Sequence, residues 1–578
     1  MMKTMNRFFF ISVLILLINN FSFAQVKTDT LKTQQVTVVK SYSPSLSNAF
    51  LIPSFPSVDD SIYIKNNVLK YNILENQIVS TFEPNKAKPL NLVRQKNEAL
   101  FNTSLYSGFG NKGQVLIRMF SLIPIDRNQS YGFMFNRRGY SKDVIESGLN
   151  SNMNSLFIGA NHILRTNEIR SDSKFSFDSN RNNFFGIYNN NFNDFFIKNL
   201  NPLISLSHFN LHNKTVFYDN VFNSLEFKIR NTYDNFNSSE QELNFNAKIK
   251  IPISRSYISA QIKLNGLSSK FKKDFFDKMP IDIKNLNTGA KIEWIKINSD
   301  FKFKIGGSID YFDKSNMFSS KLNYYPNIYF EYNKNRKLIP YLISDGKLII
   351  NSYSLLSQKN PFLAPAFKIR PTSSKFNSRV GLKSLIYSNL EFDFSIGYDD
   401  IENFTFFRRL PYSFNLEDNS YGLSNAYEAR FADLSLVDFD LKFKLNFGNN
   451  NNFLFNVKYL AYNTNDESPI FNLPSIKMNF EGQISLTKRI NISFISKLIG
   501  EREIVKWEYL LNQDPNLSNY EIEELPIYYK LNLNVNYKLL DELDLNVLFE
   551  LNDRNGVWAD FYQHKSLFLL GVRYKFNL

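Results

Sequence analysis

The sequence predicts an all-β protein: a transmembrane antiparallel β-barrel of about 22 strands with an extended N-terminal periplasmic segment. Three observations lead to this prediction. Polar and apolar side chains alternate in run after run from Ala99 onward, short and long connections join these runs in turn, and the chain starts with an export signal. A two-residue period with one apolar and one polar face is typical of a strand between two unlike media.

The alternation is clear in single strands. In 238–252, apolar residues such as Leu243 and Phe245 alternate with polar residues such as Asn244 and Asn246. Such runs exceed the roughly 5–6 residues of a common soluble strand and approach the 9–11 needed to cross a bilayer at a tilt. The predicted strands are 99–109, 114–123, 130–138, 152–164, 172–187, 201–213, 219–233, 238–252, 255–270, 285–297, 301–313, 317–332, 337–350, 376–387, 389–407, 424–447, 451–463, 473–487, 490–503, 526–538, 541–552 and 563–578.

The connections fall into two classes. Short ones include Ser254–Arg255 and Lys488–Arg489, whereas long ones span 351–375, 408–423 and 504–525. Short turns on one rim and long loops on the other are the layout of bacterial outer-membrane barrels. An even number of strands brings both chain ends to one side, which predicts periplasmic N- and C-termini.

Residues 1–24 read as a secretory signal peptide. Lys3 and Arg7 precede the apolar run 8–18, and Ser22 and Ala24 are suitably small for cleavage before Gln25. The alternative is an uncleaved anchor, but the apolar run is short for a membrane span. The predicted organisation is 1–24 signal peptide, 25–98 periplasmic or lumenal N-terminal segment, and 99–578 barrel.

Composition limits the possible chemistry. The chain has no cysteine, so disulfides and thiolate metal sites are excluded. Aromatic residues make up 16% and charged residues 21%, a combination that suits a shell with an aromatic, apolar outside and a polar inside. The net charge of +14 raises nucleic acid as a partner, but the basic residues are spread along strands of an exported chain, so none is expected.

Residues 25–98 differ from the barrel region. Five prolines interrupt them, which favours an extended segment, although a small domain is the alternative. The five prolines are Pro44, Pro53, Pro56, Pro84 and Pro89.

The C-terminus resembles known barrels. Gly571, Tyr574 and Phe576 resemble the closing-strand signal of outer-membrane barrels, which implies recognition by the barrel-assembly machinery. The hairpin 551–576 resembles the last hairpin of TonB-dependent receptors. The stretches 35–49 and 88–111 look like the start of a plugless, receptor-like branch.

This resemblance implies a 22-stranded barrel in the outer membrane of a Gram-negative bacterium. There is one departure. A receptor plug is about twice as long as residues 25–98 and carries glycine and arginine motifs that this chain lacks. The departure argues against plug-gated, energised import.

Other motifs point to no catalytic, cofactor or metal site. Gly108–Gly113 matches GxGxxG, but a strand follows where a dinucleotide site needs a helix, so a hairpin turn is predicted. His208 and His212 lie about 13 Å apart on a strand, too far for one metal. We expect His162 and His564 to be solvated. Paired acids such as Asp438 and Asp440 favour ion pairs with lysines over catalysis.

Three sites remain as candidates. A basic rim is predicted near the periplasmic ends of the strands, either as a selective ring or paired with Glu391, Asp393 and Asp440. Gln35, Val36, Thr37, Val38 and Val39 are a candidate strand for TonB or another partner. The long loop 504–525, with Trp507, Tyr509, Glu521, Glu523 and Glu524, is where a ligand or surface partner would bind. The rim consists of Lys248, Lys250, Lys302, Lys304, Lys442, Lys444, Arg573 and Lys575.

The sequence therefore predicts a non-enzymatic barrel facing outer-membrane lipid, with solute uptake as its function. An accessory or scaffold barrel in an outer-membrane complex is the alternative. A soluble secreted β-protein is a third possibility and would be extracted without detergent.

Overall fold

The computed structural model describes residues 101–144, 149–187, 200–218, 221–313, 320–335, 337–413, 420–448, 451–464, 469–508 and 518–578. The predicted signal peptide, the segment 25–98 and the candidate strand Gln35–Val39 lie outside these residues. Among the described residues, no helix has the length and apolar character needed to cross a membrane.

A closed antiparallel barrel of 22 strands forms the body of the protein, which confirms the predicted fold and strand number. Neighbouring strands pair in chain order, and the first strand closes the barrel against the last, with Thr103 opposite Phe576 and Gly108 opposite Gly571. The strands are β1 (Thr103–Gly110), β2 (Val115–Pro124), β3 (Gln129–Tyr140), β4 (Met153–Arg165), β5 (Ile169–Asn183), β6 (Leu203–Phe217), β7 (Phe222–Asp234), β8 (Ser239–Ile253), β9 (Ser256–Phe271), β10 (Ile281–Ile297), β11 (Phe301–Phe312), β12 (Lys321–Tyr332), β13 (Ile339–Ile349), β14 (Thr372–Tyr387), β15 (Leu390–Arg409), β16 (Tyr427–Phe447), β17 (Asn451–Thr464), β18 (Ile476–Ser485), β19 (Ile490–Ile499), β20 (Arg502–Trp507), β21 (Tyr520–Leu525), β22 (Tyr528–Lys538), β23 (Leu543–Asn552) and β24 (Ser566–Phe576).

Two of these strands stand outside the barrel. Among the described residues, β20 and β21 pair only with each other and form a hairpin inside the long connection between β19 and β22. The sequence predicts a loop over 504–525, because the segment that forms β21 is short and acidic, reading YEIEEL. The predicted strand 490–503 likewise merges β19 with the start of β20.

The two faces of each strand meet different surroundings. On β24, Phe568, Leu570, Val572 and Tyr574 are exposed on the outer face, whereas Leu567 and Leu569 point inward and are buried. A barrel that lies in a lipid bilayer needs this apolar exterior, because lipid covers it.

Long and short connections segregate to opposite rims, as the sequence predicts. Turns such as 254–255 and 388–389 lie on the short-turn rim with both ends of the barrel chain, and connections such as 350–371 and 553–565 lie on the long-loop rim. The turn after β1 is a 3-10 turn, Asn111–Gly113, with Gly113 at φ +66°. Part of the GxGxxG motif is therefore a hairpin turn.

The densest apolar packing is at the long-loop rim. Clusters there combine strand ends with residues of the long connections, among them Leu363, Phe367 and Phe561. The connection between β13 and β14 contains the helix α1 (Tyr353–Lys359), whose N-cap Ser352 accepts a hydrogen bond from the Leu355 N–H. The barrel wall therefore carries a polar inside, and the apolar core lies at one mouth.

Candidate functional site: the lumen and its loop cap

The long-loop mouth is covered by interlocked connections. We call the residues 350–371 the strap. The strap and the described parts of five other connections form the loop cap. These other parts are 184–187, 272–280, 410–413 with 420–426, 502–508 with 518–525, and 553–565.

One end of the strap is bound to the inner wall at β7 and β8. The buried Glu240 carboxylate accepts hydrogen bonds from the main-chain N–H groups of Tyr353 (2.7 Å) and Ser354 (2.9 Å). These are first-turn N–H groups of α1, which have no partner within a helix. Arg230 donates to the Ser354 hydroxyl (3.0 Å). The contact is local in space but joins residues more than a hundred positions apart.

The strap makes a second contact with this wall through the neutral phenol group of Tyr353. The Tyr353 hydroxyl donates to Asp234 Oδ2 at 3.0 Å. Burial is the main cause that raises the pKa of Tyr353 well above its ordinary value, so the group stays a protonated donor. The strap is thereby fixed to β7 and β8 by hydrogen bonds to Glu240, Asp234 and Arg230.

The other end of the strap reaches β16. The Tyr427 N–H donates to the Phe362 carbonyl (2.9 Å), the Ala364 N–H donates to the Tyr427 carbonyl (2.8 Å), and Leu363 forms a parallel bridge with Tyr427. Five strands, β9 to β13, separate β8 from β14, where the strap rejoins the wall. The strap therefore extends over the mouth of the lumen.

Neighbouring connections pack on the strap. The rings of Phe362 and Phe561 stack with centroids 3.7 Å apart, and Trp558 lies 5.0 Å from Tyr427. On another side, Lys368 donates to Asp277 at 3.0 Å. This hydrogen bond is the main cause that holds the pKa of Asp277 below its ordinary value.

Arg409 joins several connections at one point. Its side chain is 1% exposed, and its guanidinium donates to the Asp560 carboxylate (2.6 Å) and to the carbonyls of Ala559 (3.3 Å), Gly186 and Ser424. Its own carbonyl accepts from the Trp507 indole (2.7 Å). A buried guanidinium needs such partners, since leaving its donors unpaired is costly. The end of β15 thereby contacts four separate connections.

The eight predicted rim residues all lie on inward faces at the short-turn end, but their surroundings differ. Lys302 binds Glu331 at 2.7 Å, and the other paired members bind Asp440, Glu391 and Asp544. The distances are 3.1 Å for Lys442–Asp440, 3.2 Å for Lys444–Glu391, 2.8 Å for Lys575–Asp544 and 3.9 Å for Arg573–Asp544. Asp393, expected as a lysine partner, instead accepts from the Tyr341 hydroxyl at 2.8 Å.

Three rim lysines remain without a carboxylate partner among the described residues. Lys250 lies over the ring of Tyr257 (4.2 Å), Lys304 lies over Tyr329 (5.4 Å), and Lys248 has no ion pair in this part of the chain. The rim thus consists of ion pairs along most of its length and an arc of Lys248, Lys250 and Lys304 on β8 and β11. We call these three residues the basic arc.

The closing signal has a steric basis. A Cβ atom on Gly571 would lie 2.2 Å from the Tyr106 hydroxyl and 2.5 Å from Cζ of its ring. The Tyr106 ring crosses β24 at this glycine so that its hydroxyl reaches Asn546 on β23 (3.1 Å). Tyr574 and Phe576 stack on the outer face with centroids 5.5 Å apart.

The histidines show one wrong prediction. His564 is buried rather than solvated, with its Nε2 3.0 Å from the Lys142 carbonyl. His162 stacks on Tyr131 at 4.6 Å. His208 contacts Thr232 and His212 contacts Glu226, so the two have separate partners. Within the described residues, no group of His, Asp or Glu side chains is suited to hold a metal ion.

The roles of Arg409, Asp560, Glu240 and the strap are not predictable from the sequence. Arg409 follows Arg408 at the end of a strand, and no local pattern distinguishes it. A buried arginine is recognisable only from the fold around it. The one available signal was the high proline content of 350–371, three of 22 residues.

Comparison with known proteins identifies the class to which this fold corresponds. No family model and no curated protein sequence matches the chain. The solved structures that the barrel resembles are TonB-dependent outer-membrane receptors, so the predicted resemblance is confirmed at the level of the fold.

Three of these structures illustrate the likeness. The siderophore receptor PirA from Acinetobacter baumannii has a TM-score of 0.60 and 12% identity, covering 83% of this chain and 81% of that chain. The FrpB iron transporter from Neisseria meningitidis (F3-3 variant) has a TM-score of 0.59 and 13% identity, covering 83% and 82%. The copper transporter OprC has a TM-score of 0.56 and 10% identity, covering 83% and 82%.

Proposed function

We propose that this protein carries a solute across the outer membrane through the lumen of its barrel. The observation that carries the proposal is a closed 22-strand barrel with the fold of outer-membrane transporters and a polar, ion-paired inner wall. A barrel of this size encloses more space than its own side chains fill. The short-turn rim and both ends of the barrel chain face the periplasm in this proposal, and the loop cap faces outward.

The basic arc gives this lumen a preference for anionic solutes. Lys248, Lys250 and Lys304 add positive charge that no described carboxylate offsets by an ion pair, whereas the rest of the rim is paired. A wall segment of one sign raises the local concentration of oppositely charged solutes.

A periplasmic orientation of the short-turn rim also suggests two kinds of protein partner. The sequence predicts a strand at residues 35–39, outside the described residues, and in this proposal it adds to the sheet edge of TonB or another periplasmic protein. The closing strand with Gly571, Tyr574 and Phe576 is the segment that barrel-assembly machinery would recognise.

A second candidate function is a non-transporting accessory barrel. The interlocked loop cap favours it, because a permanently closed mouth would leave only a structural or partner-binding role. The two functions differ in whether solute passes.

Liposome swelling and planar-bilayer conductance of the purified full-length protein separate these candidates. We expect measurable conductance, increased when residues 352–370 are replaced by a short glycine-serine linker. Replacement of residues 509–517, which connect β20 to β21, by the same linker is the control and should conduct as the parent does. A barrel that stays closed in every variant and co-purifies with other outer-membrane proteins would support the accessory role.

Deletion of residues 25–40 tests the periplasmic partner. The loss of TonB binding is the expected result, measured by pull-down with purified TonB. Unchanged binding would reject the partner strand while leaving passage through the lumen intact.

A further inference from the structure

We infer that the lumen wall carries a binding site for a sugar acid, a solute with several hydroxyl groups and one carboxylate, and that Arg118 binds the carboxylate. The site lies on the inner faces of the strands around the closure of the barrel, away from the basic arc on β8 and β11. The inference rests on the proposed transport function, because a solute reaches this site only through the lumen. It adds a ligand class and its contact residues to that proposal.

Arg118 faces the lumen without an anionic partner. It lies opposite Tyr106 on β1, and Arg573 of β24 lies opposite the same tyrosine. Residues opposite each other in an antiparallel pair share a face, so the three side chains form one row across the inner wall. Arg118 is exposed on this face, and within the described parts of the chain it makes no ion pair.

The charged groups that act on Arg118 have its own sign. They are Arg138 and Arg573, and each of these has a carboxylate nearby: Arg138 lies 3.2 Å from Glu550, and Arg573 lies 3.9 Å from Asp544. Arg118 is therefore the unpaired member of a group of three arginines. Charges of one sign on a wall raise the local concentration of anions, and a guanidinium fork matches the geometry of a carboxylate.

A cavity beside Arg118 offers contacts for hydroxyl groups. Its volume is about 430 Å³, within the range of small-molecule sites, and Gln114 and Asn532 are among its lining residues. Gln114 is 8% exposed, and its side-chain oxygen accepts no hydrogen bond from the described residues. The side-chain oxygen of Asn532 is also buried and has no donor there. Buried acceptors need a donor, and the hydroxyl of a bound solute is one.

The two kinds of contact together select the ligand class. One unpaired guanidinium suits one carboxylate, whereas the polar side chains of the cavity, which include Ser493 and Asn534, suit a ring with several hydroxyls. A simple carboxylic acid leaves the buried amide oxygens without donors, and a neutral sugar leaves Arg118 without its anion. Unmade hydrogen bonds of this kind lower affinity. A sugar acid makes both sets of contacts.

The test measures binding by isothermal titration calorimetry of the purified full-length protein in mild detergent. Galacturonate is the probe. Galactose has the same ring with a neutral hydroxymethyl group in place of the carboxylate, and acetate has a carboxylate without the ring. We expect galacturonate to bind about tenfold more tightly than either, and Arg118→Gln to weaken its binding by about tenfold, because each change removes hydrogen bonds to a charged or buried group.

Three further variants keep the result interpretable. Arg170→Gln is the matched control, since it removes the same charge from the inner wall, but Arg170 already binds Asp172 on β5 at 3.2 Å. It should leave the galacturonate affinity unchanged. Asn532→Ala should weaken the binding of galacturonate and leave that of acetate as it is. Arg118→Lys keeps the charge without the planar fork, and it replaces Arg118→Gln if that variant yields no folded, heat-modifiable barrel.

Equal galacturonate affinity in the parent and in the Arg118 variant would overturn the site, and so would a parent that binds none of the probes. Acetate bound as tightly as galacturonate would overturn the sugar-acid class. A barrel that conducts but does not bind galacturonate would retain the transport proposal and lose this site. A barrel that binds galacturonate through Arg118 but never conducts would retain the site and lose the transport proposal.

Discussion

The guanidinium of Arg409 lies 2.6 Å from the carboxylate of Asp560, which joins the end of β15 to the connection between β23 and β24. The two residues are 151 positions apart in sequence. Their pairing brings the last long connection of the chain over the lumen, where Phe561 stacks on the strap.

Removing the two partners should have unequal effects. Arg409→Met leaves the Asp560 carboxylate and several carbonyls without their donor, so we expect a loss of about 3–5 kcal/mol in cap stability. Asp560→Asn should cost less, because the guanidinium keeps its carbonyl partners. Protease susceptibility of the cap across a urea series measures both.

Lys444→Ala, which breaks an exposed pair with Glu391, serves as the control and should cost under about 1 kcal/mol. Equal losses for Arg409→Met and Lys444→Ala would contradict the central position of Arg409.

Gly571→Ala should weaken barrel closure. The added methyl group meets the Tyr106 ring, and overpacking of this kind costs roughly 1–3 kcal/mol. A lower temperature of unfolding on heat-modifiability gels measures the loss. Gly266→Ala is the matched control, since the nearest atom to its Cβ would be 3.8 Å away. Adding Tyr106→Leu to Gly571→Ala should restore part of the stability. If it restores none, the clash with the Tyr106 ring is not the reason for the loss.

A disulfide between the strap and β16 should lock the mouth. Leu363 and Tyr427 form a parallel bridge, which places their Cα atoms at about the 4.8 Å spacing of neighbouring strands, within reach of a disulfide. We expect oxidised Leu363→Cys/Tyr427→Cys protein to take up less solute in liposomes, with recovery on reduction.

The control for this lock is Tyr412→Cys/Leu423→Cys, which joins two residues of one connection that form an isolated antiparallel bridge. It should leave uptake independent of oxidation. If oxidation changes solute uptake in neither variant, solute does not pass beneath the strap.

Neutralising the basic arc should reduce anion preference. Lys248→Gln, Lys250→Gln and Lys304→Gln together remove three positive charges from the lumen wall, so the reversal potential in a salt gradient should shift toward cation preference. The shift should shrink as ionic strength rises, because salt screens the charges over about 10 Å at 0.1 M. The matched variant is Lys302→Gln, whose lysine is already paired with Glu331. A reversal potential that the triple variant does not move would remove the arc from the proposal.

Much of the barrel was predictable because its signal is local. The alternation in 238–252 depends only on which side of a strand each residue faces, so it predicted β8 within one residue at either end. The hairpin β20–β21 differs from the predicted loop because its strands have only six residues each, and β21 has three exposed glutamates, a pattern typical of a loop. His564 was misplaced for a related reason: its burial comes from the Lys142 carbonyl and the Tyr140 ring, 422 and 424 positions away.

The candidate site was much less predictable than the barrel. The rim lysines could be placed on inward faces from strand parity, but whether each one finds a carboxylate depends on register with the neighbouring strand. Lys302 and Lys304 share a strand and a face, yet one meets Glu331 and the other meets Tyr329. Glu240 and Arg409 gave no signal at all in sequence.

The sequence by itself determined 22 amphipathic strands joined by alternating short and long connections, because side-chain periodicity and turn composition act over a few residues. Only the tertiary structure decided that the long connections close over the lumen, that Arg409 joins four of them, and that Gly571 must be small. These features come from contacts between residues of different strands and connections, which form once the barrel has set the distances between its strands.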